Sequence, residues 1–106
     1  VTASAGAAPA ITDKATVLLT AAGILAVEAY HADEIRTLLY QRREQDTPFG
    51  APVEAVVAGI SALRGAVGGG KDQGITNEDG TANIVPTDDD GVAFARTPTE
   101  VANIVY

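Results

Sequence analysis

Glu28 and His31 are the two residues of this sequence whose types and spacing are best suited to chemistry. They lie three apart in "ILAVEAYHADEIRTLLY", residues 24–40, a run that is otherwise mostly apolar. Side chains three apart share one face of a helix, so this pair places a carboxylate beside an imidazole, as two metal ligands would lie. An unpaired charge on an apolar face is costly. The pair therefore predicts either a metal site or a polar pair satisfied by hydrogen bonds, and both remain open.

The motif "EAYH", residues 28–31, has the form Glu-x-x-His that occurs in di-iron and di-manganese helical bundles. Two helices of such a bundle each supply that motif, and two others each supply a Glu, giving about six ligands in all. Here His31 is the only histidine, and the motif provides two ligands. Iron or manganese is thus one alternative for a cofactor, and no cofactor is the other.

Other candidate motifs favour ordinary structure. Asp88, Asp89 and Asp90 are consecutive and precede Gly91, without the alternating ligands of a calcium loop, so a solvated turn is expected. The three glycines at 68–70 follow an apolar segment and lack the Gly-Lys-Ser/Thr pattern of a phosphate-binding loop. No hydroxyl has an evident base partner, so catalysis is not expected.

Composition narrows the function classes. The 106 residues carry a formal net charge of −7, with seven scattered Lys and Arg, which argues against nucleic-acid binding. The absence of cysteine excludes disulfides and thiolate sites. No uninterrupted apolar run is longer than that of residues 24–27, which predicts that no segment spans a membrane. A chain that begins at Val1 and contains no methionine is expected to be processed or to be a piece of a longer protein.

The pattern of residues predicts an all-α chain. A helix of about 30 residues is expected from Lys14 to Arg43, with Thr12 or Asp13 as its N-terminal cap. Its apolar stripe needs partner helices, because a helix of this length cannot bury the stripe alone. The stripe comprises Val17, Ala21, Ile24, Ala32, Ile35 and Leu39, with Glu28 at its centre.

The remainder predicts a second helix, a long polar loop and a short terminal helix. The second helix is expected over 52–67, and the loop over 71–90. Thr97 as cap, with Pro98 and Glu100 in the first turn, forms a capping-box signature for the terminal helix.

Three segments in this order resemble the second half of bacterial ferritin-like proteins of the desiccation-related family. They are "GAAPAITDK", "AAGILAVEAYHADEIRTLLY" and "NIVPTDDDGVAFARTPTEVANIVY". The resemblance implies that residues 1–43 are the end of the third helix and the fourth helix of a four-helix bundle. Residues 44–106 would be a C-terminal extension that packs on the bundle. Of the family's metal positions only Glu28 and His31 have counterparts in this sequence.

Two functions follow as expectations. The first is a ferritin-like structural or interaction protein without catalysis, stress-related or an accessory subunit of a larger assembly. The second is a metal-binding ferritin-like protein that uses Glu28 and His31. The expected partners are the remaining helices of the bundle or another protein chain, in an oligomer or assembly. Because proteins that resemble this family are commonly exported, an extracytoplasmic location is expected.

Overall fold

A computed structural model describes residues 1–106 and shows four α-helices and no strand. The helices are α1 (Thr2–Ala7), α2 (Leu19–Gln41), α3 (Val53–Val67) and α4 (Pro98–Val105). A 3₁₀ turn (Ala8–Ala10) follows α1, and a π-helical turn (Lys14–Leu18) leads into α2. The predicted all-α class and the predicted order of a long helix, a second helix, a polar loop and a terminal helix are confirmed.

The long helix runs without a break from Lys14 to Gln41, which is 28 residues. The Asp13 carboxylate caps its start by accepting a hydrogen bond from the Thr16 amide at 3.1 Å. The first turn is wide because the Leu18 amide donates to the Asp13 carbonyl, five residues back, at 3.0 Å. The helix ends at Gln41, with Arg42 as its C-terminal cap, and a turn over residues 47–51 that contains Pro48 and Gly50 follows.

By length and composition alone, the Lys14–Gln41 helix is apolar enough to cross a membrane, with a mean hydropathy of 1.4 over 18 residues. The absence of a long uninterrupted apolar run therefore does not exclude a membrane span, contrary to the prediction from the sequence. The core helix of a bundle meets the same test, so this observation is weak evidence for a membrane. Glu28 and His31 near the middle of the helix are polar positions that a bundle accommodates more readily than a bilayer.

The extension, residues 44–106, packs on α2 mainly beside the predicted apolar stripe. It covers a neighbouring face, about 70° around the helix from the centre of the stripe, which carries Ala29, Arg36 and the stripe residue Ala32. The small alanine side chains allow the loop backbone to approach. The side of the stripe away from the extension stays open, since Val17 is 49%, Ile24 55% and Ile35 57% exposed, whereas Ala21, Ala32 and Leu39 are half-buried. One face of α2 is thus covered by the extension, and the large apolar side chains of Val17, Ile24 and Ile35 beside it remain exposed in this chain.

The core of the chain is very small. Three of 106 residues are buried, and Ile75 is the only large apolar one among them. Polar contacts therefore hold the extension in place. Arg36 donates through Nε to the Asn83 carbonyl at 3.0 Å and through Nη1 to the Gln73 carbonyl at 3.1 Å, and it also bonds to the Gly74 carbonyl.

A second arginine joins the two ends of the chain. Arg96 is 3% exposed, and its guanidinium donates to the Gly68 carbonyl, the Thr2 hydroxyl and the Asp72 carboxylate at 3.0, 2.7 and 3.2 Å. Its backbone carbonyl lies so close to Gly6 that a Cβ at that position would overlap it. Gly6 is thus required for α1 to lie against the segment that leads into α4.

Three turns of the extension share one geometry. They span residues 47–51, 77–81 and 88–92. In each turn the amide of the first residue donates to the carbonyl of the fifth, at 2.9–3.0 Å. The fourth residue of each turn is a glycine with positive φ. In the third turn Asp88 Oδ1 accepts from the Asp90 and Val92 amides at 3.0 and 2.9 Å, so this acidic run closes a turn.

The terminal helix begins with the capping box. Thr97 Oγ1 accepts from the Glu100 amide at 3.3 Å, and Glu100 Oε2 accepts from the Thr97 amide at 2.7 Å. Glu100 also pairs with Lys71 at 2.9 Å, which ties the helix start to the segment after α3. The pKa of Glu100 is lowered, first by the Lys71 bond and then by the Thr97 amide.

Candidate functional site

Glu28 and His31 lie on the open side of α2. Together they line a shallow concavity of about 370 Å³, whose other lining residues are Thr20, Gly23, Ile24 and Val27. Both residues project from adjacent turns of one helix, which holds them at fixed spacing. The pair therefore faces the same surroundings as the apolar stripe, and any group that covers the stripe meets both side chains.

Glu28 has one partner from another element, the Ser4 hydroxyl of α1. Ser4 Oγ donates to Glu28 Oε2 at 2.7 Å, and the Val1 nitrogen lies 3.4 Å from the same oxygen. The side chain of Glu28 is 41% exposed, and the Ser4 bond is the main cause of its lowered pKa. Glu28 is therefore a carboxylate near neutral pH, with Oε1 available to a further partner.

A Ser4 partner was not anticipated from the sequence. If Glu28 belonged to a buried polar pair, the expected partner of its carboxylate would be an arginine or a tyrosine hydroxyl. In a metal site the partner would be an ion. Ser4 lies 24 residues before Glu28 and across the Ala8–Ala10 turn, so only the return of the chain brings them together. The Ser4 hydroxyl satisfies Glu28 Oε2, and Glu28 Oε1 can still accept either a hydrogen bond or a metal ion.

His31 is exposed and makes no hydrogen bond within the chain. No group of three or more His, Cys, Asp or Glu side chains is arranged to hold a metal ion. The geometry thus brings together two potential metal donors and no third. A dinuclear centre of about six ligands would need the other donors from helices outside these 106 residues.

Two other residues with structural roles, Arg36 and Arg96, also escaped prediction from the sequence. Arg36 lies on α2 one turn after Ala32 and two turns after Ala29, and its position on this face of small residues is the signal that could have identified a contact there. Arg96 stands directly before the capping box, and no sequence pattern indicates its burial.

Residues 1–41 match the sequence model of a ferritin-like domain family. The matched part contains α1, all of α2, Glu28 and His31, so this part of the chain is ferritin-like in sequence as well as helical in structure. No curated protein and no solved structure matches the sequence significantly.

Proposed function

We propose that this chain is part of a ferritin-like structural or interaction protein, in which α2 is a bundle helix with its open apolar stripe covered by other helices. The observation that carries the proposal is the exposure of the stripe in a segment that matches a ferritin-like domain. The covering helices belong to the same bundle or to another chain of an assembly. Residues 1–43 form the bundle portion, and 44–106 form the extension.

The extension has a supporting role in this proposal. Its contacts with α2 are made largely by backbone carbonyls that accept from Arg36, together with the Tyr40 hydroxyl bonded to the Gly80 carbonyl at 3.4 Å. It contains no histidine, no cysteine and no triad. Such a segment fixes one side of the helix and leaves the other side to the bundle, which is a role in architecture rather than in catalysis.

The assignment to one group of ferritin-like proteins rests on the sequence resemblance. The tail "NIVPTDDDGVAFARTPTEVANIVY" is similar to that of the desiccation-related ferritin-like proteins, and we place this protein in that group as part of the proposal. A stress-related role and an extracytoplasmic location follow from that placement.

The alternative function is metal binding. It is favoured by one observation, that Glu28 and His31 line the same concavity on the open side of α2. Glu28 Oε1 and an imidazole nitrogen would then be two ligands of an iron or manganese ion, and helices beyond this sequence would supply the others. When bound, such an ion would supply redox chemistry. The residues of this chain would hold it in place, with Ser4 orienting the Glu28 carboxylate.

Metal analysis of the natively purified protein decides between the two functions. The structural proposal predicts no stoichiometric iron or manganese, and equal metal content in the wild type and in Glu28→Ala. The metal-binding alternative predicts roughly one or two ions per chain that are lost in Glu28→Ala and in His31→Ala. Glu34→Ala, an exposed carboxylate on the same helix, is the matched control.

A further inference from the structure

We propose that the cavity between α2 and the extension binds a small organic anion, with a carboxylate head and an apolar body. The cavity has a volume of about 420 Å³, which lies within the range of pockets for small molecules. It lies on the covered side of α2, around the helix from Glu28 and His31. This proposal is independent of the proposed function of the bundle.

The charge around this cavity opposes the charge of the whole chain. Four of the seven basic residues line it, namely Arg36, Arg64, Lys71 and Arg96, against two carboxylates, Asp33 and Asp72. The chain as a whole carries −7. A concave site with an excess of positive charge attracts ligands of negative charge, so this cavity favours anions.

Most of these cations are only partly neutralised. Asp72 Oδ2 is shared between Arg64 Nε at 3.1 Å and Arg96 Nη2 at 3.2 Å, so one carboxylate serves two guanidiniums. Arg36 donates its hydrogen bonds to neutral carbonyls, and burial lowers its pKa more than the nearby carboxylates of Asp72 and Asp33 raise it. A desolvated cation without a full counter-charge is stabilised by an added anion.

Two cations have donors free to meet a ligand. Arg64 is 48% exposed, and its Nη1 and Nη2 make no bond within the chain. Lys71 is 30% exposed and uses one of its three donors on Glu100. These two residues would hold the anionic head, Arg64 through two parallel bonds to a carboxylate.

Much of the remaining wall of the cavity is apolar, beside the polar side chains of Thr2, Gln73 and Thr87. Ala29 and Ala32 of α2 form one side, and Val85, Pro86 and Phe94 of the extension form another. A free inorganic anion would leave this surface unused, whereas a carboxylate on a ring or short chain would cover it. The combination of cations and apolar wall therefore points to an organic acid.

Calorimetric titration of the purified protein with benzoate tests this proposal, with neutral benzamide and inorganic phosphate as comparison probes. We expect benzoate to bind more tightly than either. Arg64→Gln should weaken benzoate binding about tenfold through loss of the charge-assisted bonds. Asp33→Asn should tighten it several-fold by removing a negative charge. Arg42→Gln, an exposed arginine outside the cavity, should leave it unchanged.

Lys71→Gln provides a second variant if Arg64→Gln fails to fold, and circular dichroism of each variant checks its helix content. Equal benzoate affinity in Arg64→Gln and Arg42→Gln would overturn the site. The absence of benzoate binding at millimolar concentration would do the same. Phosphate binding as tightly as benzoate would overturn the assignment to an organic acid.

Discussion

Arg96→Met is expected to lower the free energy of unfolding by about 3–5 kcal/mol, the usual cost of removing one partner of a buried ion pair. The guanidinium is almost fully buried and donates to three groups from three parts of the chain: Thr2 in α1, Gly68 at the end of α3, and Asp72. Methionine keeps much of the length of the side chain but leaves these acceptors unpaired. Urea denaturation followed by circular dichroism measures the loss.

Arg42→Met is the matched control for this variant. Arg42 is exposed at the end of α2, so its replacement should change stability by less than about 0.5 kcal/mol. If Arg96→Met and Arg42→Met unfold at the same urea concentration, Arg96 does not join the ends of the chain as described.

Ile35→Asp is expected to have a comparably large effect in the assembled protein, destabilising it by about 3 kcal/mol or more. Ile35 is 57% exposed in this chain, and on that basis alone an aspartate would be tolerated. If other helices cover the stripe, the same aspartate is a buried charge without a partner. Thermal melting and size-exclusion chromatography measure the loss of the fold and of the assembly.

Tyr30→Asp separates burial in the bundle from a general effect of a new charge on α2. Tyr30 is 70% exposed, five residues from Ile35 and about 140° around the helix from it. The same substitution there should change the melting temperature by only a few degrees. Equal melting temperatures for the two variants would show that the stripe is not covered.

The elements of this chain were predictable because their signals are local. The helix from Lys14 is free of proline and starts at Asp13, whose carboxylate caps the first turn, and the Thr97 capping box marks α4 within four residues. Such features depend on backbone hydrogen bonds between near neighbours, so the sequence carries them directly.

The packing was not predictable in the same way. Periodicity identified the apolar stripe of α2, but the extension lies on the alanine face beside it, where Arg36 finds backbone carbonyls. Carbonyl acceptors carry no side-chain signature, so no pattern marks residues 73, 74 and 83 as partners. Ser4 was missed for a different reason: its contact with Glu28 depends on the path of the chain between α1 and α2, which no local pattern encodes.

The candidate site shows most clearly the difference between local spacing, which the sequence carries, and packing, which it does not. The spacing of Glu28 and His31 placed both on one helix face, and the structure places them in one concavity. Whether that concavity holds a metal depends on groups that approach α2 from its open side. The covering of the stripe is therefore the central claim, because both proposed functions of α2 depend on it.

Cysteine accessibility measures that covering most directly, since this sequence contains no cysteine. Ile35→Cys and Tyr30→Cys place one thiol on the stripe and one away from it, at positions that are both exposed in the chain alone. In the native protein, the thiol at position 35 should react with a maleimide at least tenfold more slowly than the thiol at position 30, and unfolding in urea should make the rates equal. Equal rates in the native protein would contradict a covered stripe.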